Sequence, residues 1–548
     1  MPIWLADNPL STRWPLYTRG NVGEVFPEVV LPFTWSVYGQ EAENGWRDSY
    51  QRLGLIADGD FPDDENMIIL GVFGGYCYIN ASYVRLLGVR APGGKVEVID
   101  QQFFGESDAP PYTERPGDKN RKASAKLGKS VLQLLGTKSL PALEEDKRRV
   151  AAWIAQYPAA DAPDDVLMDY IEGFKPLFRH LFGRHIDNTF GVALVSGALQ
   201  DLLVKIGRGD QLVSILGGIG DVESAAPSAA MWKLAHSPHD RASDEWQREF
   251  AAFLAEFGSR GPNEWDLGSD PWAYRPQLAL AAIDRMAAAD ESHDPSAQST
   301  RLASEREAAI HQARGELNRI DRVVFDKALR ATTLYSQARE RSKTTIIRAI
   351  HSVREAQREL ARRAAERGGV ADPKASCLLE FDEFRQYLEN PTPWLSVIAE
   401  RQTRYEQLAG LIPPFILDGE IPPIETWEQR GAPADTVSVG QQLKGIAGCP
   451  GVARGTAVVV LDPGDPRQLG PGDVLVAPIT DPSWTPLFLA AEAVVVDVGA
   501  TMSHAIIVSR ELGIPCVVSA VGATRSIPDG ATIEVDGNTG IVTVIELP

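Results

Sequence analysis

The residue with the clearest chemical potential is a histidine at the predicted start of a helix. His504 follows Ser503, and a helical pattern runs on to Gly513. The first backbone N–H groups of a helix have no intrahelical partner, and the helix dipole favours negative charge beside them. An imidazole there is poorly suited to holding a proton and well suited to carrying a phosphoryl group, which Thr501, Ser503 and Arg510 would help to stabilise. The alternative is that this lone histidine is structural.

The elements that must position this histidine follow from the local pattern. The apolar run 493–496 predicts a buried strand, which a glycine ends. Ser503 stands at the N-cap position, where its hydroxyl can accept a backbone N–H. Gly513 and Pro515 then mark the end of the helix. A strand–loop–helix unit is therefore predicted, with His504 in the first turn of its helix.

A second candidate group lies on a long predicted helix within 301–367. Arg339 and Lys343 are one helical turn apart, and they interrupt a stripe that is apolar at both ends. Cations that face a core need partners, and an incoming phosphoryl group would be one. The alternative is an internal ion pair with acids of a neighbouring helix. The stripe consists of Phe325, Leu329, Thr332, Ser336, Arg339, Lys343, Ile346, Ile350, Val353 and Leu360.

The composition narrows the class of protein. The chain has 548 residues, 44% of them hydrophobic, and it contains no apolar run long enough to predict a membrane span. Its first residues lack the pattern of a secretory signal. A formal charge of −20 argues against nucleic-acid binding. Four cysteines without a C-x-x-C pair favour a reducing cytoplasm and no metal site: Cys77, Cys377, Cys449 and Cys516.

The segment around His504 resembles a known motif. Residues 497–515 are similar to G-G-x-x-S-H-A-A-I-V-A-R-E-x-G-I-P, the motif of the phosphohistidine swivelling domain of the PEP-utilising enzymes. The departures from it are small or apolar residues, namely Ala500, Ile506 and Ser509. The resemblance implies that His504 is the phosphorylated residue. Residues 480–488 are also similar to the T-x-P-x-W-x-P-L-F segment of this domain.

Earlier segments resemble the acceptor-binding domain of the rifampin phosphotransferases, which belong to the same family. They are 21–27 with 32–36, then 74–80 and 339–343, of which the last is similar to an R-E-x-x-K segment. The resemblance implies that Arg339 and Lys343 face the acceptor hydroxyl.

A further segment, 257–266, is similar to the G-H-R-G-x-x-E-x-D of these enzymes. Ser259 stands where they have a histidine, so no role of that histidine can be carried over. We expect Arg260 and Glu264 to form a buried pair that shapes the loop, rather than to act in catalysis.

These observations predict a multidomain protein with α/β and helical parts. Residues 1–412 form an acceptor-binding domain, which is mixed α/β over 1–115, with strands near 67–73 and 96–99, and mostly helical over 116–412. The proline-rich residues 413–440 are predicted to be a linker and hinge. A compact α/β phosphohistidine swivelling domain follows over 441–548.

No phosphoryl donor site is evident in the sequence. We expect no PEP-binding barrel, because the chain ends soon after His504, and no ATP-grasp domain, because none fits before Asn21. Residues 127–130 lack the first glycine of a phosphate-binding loop. The arrangement resembles the two-subunit phenylphosphate and alkylphenol phosphate synthases. That resemblance implies a separate ATP-grasp subunit that binds ATP and Mg²⁺, no prosthetic group on this chain, and a phenol or alkylphenol as the acceptor.

The expected mechanism has two half-reactions. Nε2 of His504 attacks the β-phosphoryl of ATP on the partner subunit, and the domain then swings about the linker to the acceptor. Two alternatives stay open: the same transfer to an antibiotic or another complex alcohol, and a non-catalytic phosphocarrier that passes phosphate to a protein. The sequence does not identify the residues that bind the acceptor, nor the base that takes its proton.

Overall fold

The fold is taken from a computed structural model. It describes residues 3–61, 65–104, 109–209, 211–220, 223, 226–288, 294–430, 437–461, 469–470, 472–480, 484–499 and 503–548. Helices dominate up to about residue 410, and strands dominate the C-terminal part. None of the described helices is long and apolar enough to cross a membrane.

The helices are numbered in chain order. They are α1 (Val22–Val25), α2 (Pro32–Thr34), α3 (Gln40–Leu53), α4 (Ala81–Arg90), α5 (Val96–Phe104), α6 (Arg121–Gly136), α7 (Pro141–Ile154), α8 (Asp164–Lys205), α9 (Gln211–Leu216), α10 (Ala226–Ala235), α11 (Asp244–Phe257), α12 (Pro276–Ala288), α13 (Pro295–Glu316), α14 (Arg319–Glu366), α15 (Pro373–Ser376), α16 (Phe381–Glu389), α17 (Leu395–Ala409), α18 (Thr485–Phe488), α19 (His504–Leu512) and α20 (Ala523–Ser526). A π-helical turn, Trp35–Gly39, leads into α3.

The strands are likewise numbered in chain order. They are β1 (Leu16–Thr18), β2 (Leu70–Phe73), β3 (Tyr76–Asn80), β4 (Leu411–Ile412), β5 (Ile416–Asp418), β6 (Glu428–Gln429), β7 (Gln442–Lys444), β8 (Ile446–Cys449), β9 (Val452–Val459), β10 (Asp473–Ala477), β11 (Ala493–Val496), β12 (Cys516–Val518), β13 (Thr532–Asp536) and β14 (Ile541–Glu546). They form sheets of order β2-β3-β1-β5, β4-β6 and β7-β14-β13-β9-β10-β11-β12-β8.

The N-terminal body joins the small sheet to two long helices. One apolar core runs from β2 and β3 through α3 and α8 to the C-terminal half of α14. Helix α14 begins at a cap, because the Asn318 side-chain oxygen accepts the N–H groups of Ile320 and Asp321, both at 3.0 Å. Its predicted stripe is buried at both ends, with Phe325 and Leu360 fully inaccessible to solvent.

One predicted strand in the first 115 residues is a helix instead. Residues 96–99 begin α5, which extends to Phe104 and buries Ile99, Phe103 and Phe104. Four alternating residues are too few to distinguish a strand from one turn of an amphipathic helix. The other predicted strand is present in shorter form, as β2.

The predicted linker over 413–440 also needs a correction. Strand β5 pairs with β1 at the edge of the N-terminal sheet, and β6 pairs with β4. These residues belong to the N-terminal body, because their extended backbone completes sheet edges whose other strands lie far away in the sequence. Val437 already packs in the C-terminal core. The change between bodies therefore lies between Arg430 and Val437, and 431–436 are outside the described residues.

The C-terminal sheet contains a parallel centre. Strands β9, β10, β11 and β12 run parallel, and the remaining pairs are antiparallel. Strand β11 is buried over its whole length, as expected for a parallel strand covered on both faces. Helix α19 packs on this sheet and is followed by β12.

Three helices of the predicted acceptor domain share a core with this sheet. Side chains of α10, α11 and α12, among them Met231, Trp246 and Met286, belong to the same apolar cluster as Trp484 and Phe488 of the C-terminal domain. A domain boundary at 412 therefore does not separate two independent cores.

Helices α3 and α8 cross closely at two glycines. A Cβ atom on Gly45 would lie 2.7 Å from the carbonyl oxygen of Arg179, and one on Gly183 would lie 3.0 Å from that of Gly45. This contact brings the rings of Trp46 and Phe182 to a centroid separation of 5.8 Å. The glycines thus set the spacing of two aromatic-bearing helices.

We expect Gly45→Ala to lower the free energy of unfolding by about 1–3 kcal/mol, because the added methyl forces α3 away from α8. The measurement is the midpoint of thermal unfolding. Gly197→Ala on α8 is the matched control, since nothing lies within 4 Å of a Cβ atom added there. That control should gain about 0.5–1 kcal/mol from helix propensity. Equal shifts in the two variants would contradict a close crossing.

Candidate active site

The helix that carries His504 forms as its sequence predicts. The Ser503 hydroxyl caps α19 by accepting the N–H of Ile506 at 3.3 Å. Gly513 ends the helix in the left-handed region, at φ 64°. The structure thus places His504 on the first turn of α19, and it assigns the Ser503 hydroxyl to the cap.

The His504 ring is held between two threonines of its own domain. Its Nδ1 lies 3.3 Å from Oγ1 of Thr480, and its Nε2 lies 3.3 Å from Oγ1 of Thr485. A hydroxyl can donate or accept, so these contacts suit either neutral tautomer. Burial, with Lys343 and Arg260 nearby, holds the pKa of His504 well below its ordinary value. The ring is therefore neutral near pH 7 and keeps a lone pair for attack on phosphorus.

Across from this ring lies a buried cluster of charges. Arg260 Nε donates to Glu264 Oε2 at 2.7 Å, and Lys343 Nζ lies 3.2 Å from Glu264 Oε1. The predicted buried pair of Arg260 and Glu264 is thus present. Burial alone would raise the pKa of Glu264, but Arg260 and Lys343 outweigh it and hold that pKa below its ordinary value. Glu264 is consequently charged and balances two cations.

The two cations predicted on α14 both line the same cavity as His504. Lys343 pairs with Glu264, so the ion-pair alternative holds for it, although that acid comes from a loop. Arg339 lies beside Glu340, with 3.8 Å between Nη1 and Oε1. The structure therefore brings Arg339 and Lys343 to His504, and their action on an acceptor stays a prediction.

Glu24 of α1 contacts the histidine from the N-terminal body. Its Oε2 accepts the backbone N–H of His504 at 3.1 Å. Burial raises the pKa of Glu24 to about 8, against the lowering effects of that hydrogen bond and of Arg339 and Lys343. Glu24 lies in the segment 21–27 that the resemblance singled out, but the sequence alone gave it no role.

An apolar cavity opens from this charged end into the N-terminal body. Its volume is about 140 Å³, and its charged lining residues are Glu24, Glu264, Arg339, Glu340 and Lys343. The remaining wall is mostly aromatic and aliphatic, and its aromatic rings come from the residue after α1, the π-helical turn, α3, α5, α8 and the loop before α12. These rings are Phe26, Trp35, Tyr38, Trp46, Phe103, Phe178, Phe182, Phe190 and Trp265. The shape suits a molecule with an apolar ring and one polar group.

His185 also lines the cavity, and sequence reasoning missed it. Its Nδ1 lies 3.0 Å from Oγ of Ser342 on α14. Burial, followed by the charges of Arg339 and Lys343, lowers the pKa of His185 to about 3, so the ring is neutral. Its partner lies 157 residues away in sequence, which left no local signal.

The remaining predicted site residues lie apart from the ring. Arg510 is further along α19, and its Nε donates to the carbonyl of Gly448 on β8 at 3.0 Å. Among the described residues no contact joins it to the His504 ring. Thr501 lies outside the described residues. Stabilisation of a phosphoryl group by Thr501, Ser503 and Arg510 stays a prediction.

Two family models match this chain. Residues 469–540 match the PEP-utilising enzyme, mobile domain, which includes His504. Residues 184–342 match the rifampicin phosphotransferase fourth domain, which includes His185 and Arg339. One match therefore contains His504, and the other contains His185 and Arg339, which line the same cavity.

Curated relatives are longer than this chain. An uncharacterised protein of Mycobacterium tuberculosis (strain ATCC 25618 / H37Rv) is 28% identical over 588 residues, covering 99% of this chain and 63% of that protein. Prodigiosin synthesizing transferase PigC of Serratia marcescens is 31% identical over 57% of this chain and 35% of its own length. Rifampicin phosphotransferase of Streptomyces sp. is 30% identical over 54% of this chain and 34% of its own length. The chain spans less than two thirds of the length of each.

The matches and the geometry meet at the cavity beside His504. The mobile-domain match includes His504 on α19. The other match includes residues that line the cavity beside His504, among them His185 and Arg339. The chain is therefore similar to the PEP-utilising enzymes in its mobile domain, and to the rifampicin phosphotransferases in a domain that precedes it.

Proposed function

We propose that this chain is the phosphohistidine-carrying and acceptor-binding subunit of an ATP-dependent phosphotransferase. His504 would receive a phosphoryl group from ATP and pass it to the hydroxyl of a small aromatic acceptor, a phenol or alkylphenol. The observation that carries the proposal is the neutral imidazole of His504 at the charged end of an apolar, aromatic-walled cavity. The similarity to the PEP-utilising enzymes and the rifampicin phosphotransferases supports the phosphotransfer, and the cavity supports the class of acceptor.

The first half-reaction needs a nucleotide site that faces His504. In our proposal this site belongs to a separate ATP-grasp subunit, which binds ATP and Mg²⁺. Nε2 of His504 attacks the β-phosphoryl, and the bond to the α-phosphate breaks, which releases AMP and leaves a pyrophosphoryl group on nitrogen. Water then cleaves the β–γ bond, so that phosphate is released and the β-phosphoryl group stays on His504. In the described pose the ring faces the acceptor cavity, so the C-terminal domain has to move for this step.

The second half-reaction takes place in the pose described here. Lys343 and Arg339 approach His504 from α14, where they would stabilise negative charge on the moving phosphoryl group. Phosphoryl transfer depends mainly on such positioning and electrostatic stabilisation. The Glu264 carboxylate forms an ion pair with Lys343, and this pair would keep the ammonium group of Lys343 oriented.

The size of the cavity favours a small acceptor. A volume of about 140 Å³ is close to that of the engineered apolar cavity of about 150 Å³ that binds benzene. One aromatic ring with its hydroxyl toward His504 fits such a space. A phenol is also the easier nucleophile to generate, since its pKa of about 10 lies far below that of an alkanol.

A second candidate acceptor is a complex alcohol such as rifampicin. The matches to rifampicin phosphotransferases of Streptomyces and of Bacillus subtilis favour it. The cavity would have to open considerably to admit so large a molecule. A panel of phenols, alkylphenols and rifampicin, each tested as an acceptor, separates the two candidates directly.

Replacement of the proposed carrier should abolish labelling. We expect the wild-type chain, mixed with its ATP-grasp partner, to acquire acid-labile label from β-labelled ATP but none from γ-labelled ATP. His504→Ala should acquire none from either. The measurement is label retained on the chain after separation in alkali. Equal labelling of the wild type and His504→Ala would contradict the proposed carrier, and labelling without a partner would contradict the separate donor subunit.

Lys343→Met should separate the half-reactions. Because Lys343 lies on the acceptor side, we expect labelling of His504 to persist while single-turnover transfer to phenol slows by about 10²–10³-fold, as for other lost electrostatic donors. Lys327→Met is a matched control on an exposed position of α14. It should transfer at the wild-type rate. Loss of labelling in Lys343→Met, with transfer from any loaded chain intact, would place Lys343 in the donor step instead.

A further inference from the structure

We propose that Glu24 is a catalytic residue that takes the proton from the acceptor hydroxyl as the phosphoryl group leaves His504. This inference rests on the proposed function and deepens it, because a base of this kind favours acidic hydroxyls. Three observations carry it, namely the position of the carboxylate, its unused oxygen and the charges that surround it.

The carboxylate of Glu24 is fixed beside the reacting residue. Its Oε2 accepts the backbone N–H of His504 at 3.1 Å, and this contact crosses from the N-terminal body to the mobile domain. Glu24 also lines the acceptor cavity together with the His504 ring. Glu24 therefore borders the cavity in which the acceptor hydroxyl would lie.

The second oxygen of Glu24 is available. Oε1 is buried, and among the described residues it has no hydrogen-bond partner. A buried carboxylate oxygen without a donor is costly, so such an atom in a native site needs an explanation. An acceptor hydroxyl in the cavity would supply the missing donor and would place its proton on the oxygen that receives it.

The transfer balances with Glu24 as the base. A lone pair of the hydroxyl oxygen attacks phosphorus, and the P–Nε2 bond breaks with its electron pair returning to the ring. His504 keeps the proton on Nδ1, beside Thr480 Oγ1 at 3.3 Å, and so leaves as a neutral imidazole. The hydroxyl proton moves to Oε1 of Glu24, and solvent removes it when the domain moves away.

The groups that face Glu24 set its strength as a base. They are Arg339 and Lys343 from α14, Ser503 and the His504 backbone from α19, and Cys516 from β12. Burial outweighs the lowering effects of these cations and donors, and the pKa of Glu24 is raised to about 8. Such a carboxylate is a stronger base than an ordinary one, and the gap to the pKa of a phenol, about 10, is small.

The experiment uses the full chain, phosphorylated on histidine with phosphoramidate so that no partner is needed. Single-turnover transfer is measured to phenol and to 4-nitrophenol, a probe that is already ionised at neutral to alkaline pH. For Glu24→Gln we expect transfer to phenol to fall by about 10²–10⁴-fold, the usual contribution of a general base. Transfer to 4-nitrophenol should change by less than tenfold, because no proton has to be removed.

The pH dependence supplies a second measurement. Only the ionised carboxylate accepts a proton, so the wild-type rate with phenol should rise as the pH increases through about 8, the pKa of Glu24. Glu24→Gln should lose that rise. Glu28→Gln, the same change at an exposed glutamate four residues further along the chain, should behave like the wild type.

The results for Glu24→Gln distinguish a base from a structural residue. Equal loss with both acceptors in Glu24→Gln would mean that Glu24 only supports the docked pose, and unchanged transfer to phenol would exclude it as the base. Rates are normalised to the phosphohistidine content of each folded variant, so a failure to fold or to load is seen separately. If the loaded wild type transfers to no phenol at all, the proposed function fails at its acceptor, and the role of Glu24 fails with it.

Discussion

An uncharged imidazole held against a cluster of charges is the constraint on which this structure depends. Burial makes protonation of His504 costly, and Lys343 and Arg260 add to that cost. The same cations would be unfavourable without Glu264, which pairs with both. The arrangement places a neutral imidazole beside a positive field, and among the described residues the ring nitrogens contact threonine hydroxyls rather than Lys343 or Arg260.

The two long helices, α8 and α14, bring the charged side chains and the aromatic side chains to one cavity. Helix α14 packs along α8, and its stripe changes from apolar to charged where it passes His504. Helix α8 supplies Phe178, Phe182 and His185 to the opposite wall, and the glycine contact with α3 sets the width between the aromatic rings. A polar end and an apolar body of the cavity therefore arise from one pair of helices.

The sequence predicted those parts of the site whose determinants are local. The cap at Ser503, the left-handed Gly513 and the apolar strand β11 lie within about twenty residues of one another, and the phase of α14 placed Arg339 and Lys343 on a common face. The contact of Glu24 with His504 spans 480 residues, so no periodicity could indicate it. The prolines near 413–430 did predict extended chain, but the strands that pair with it could not be read from composition.

The core that α10, α11 and α12 share with the C-terminal sheet bears on the thermodynamics of domain motion. If the sheet moved alone, it would expose buried groups such as Trp246 and Phe488, at about 25 cal/mol for each Å² of apolar surface. Either these helices travel with the sheet, or the destination offers a replacement apolar surface. In the proposed exchange between two poses, this hydrophobic balance would set their populations.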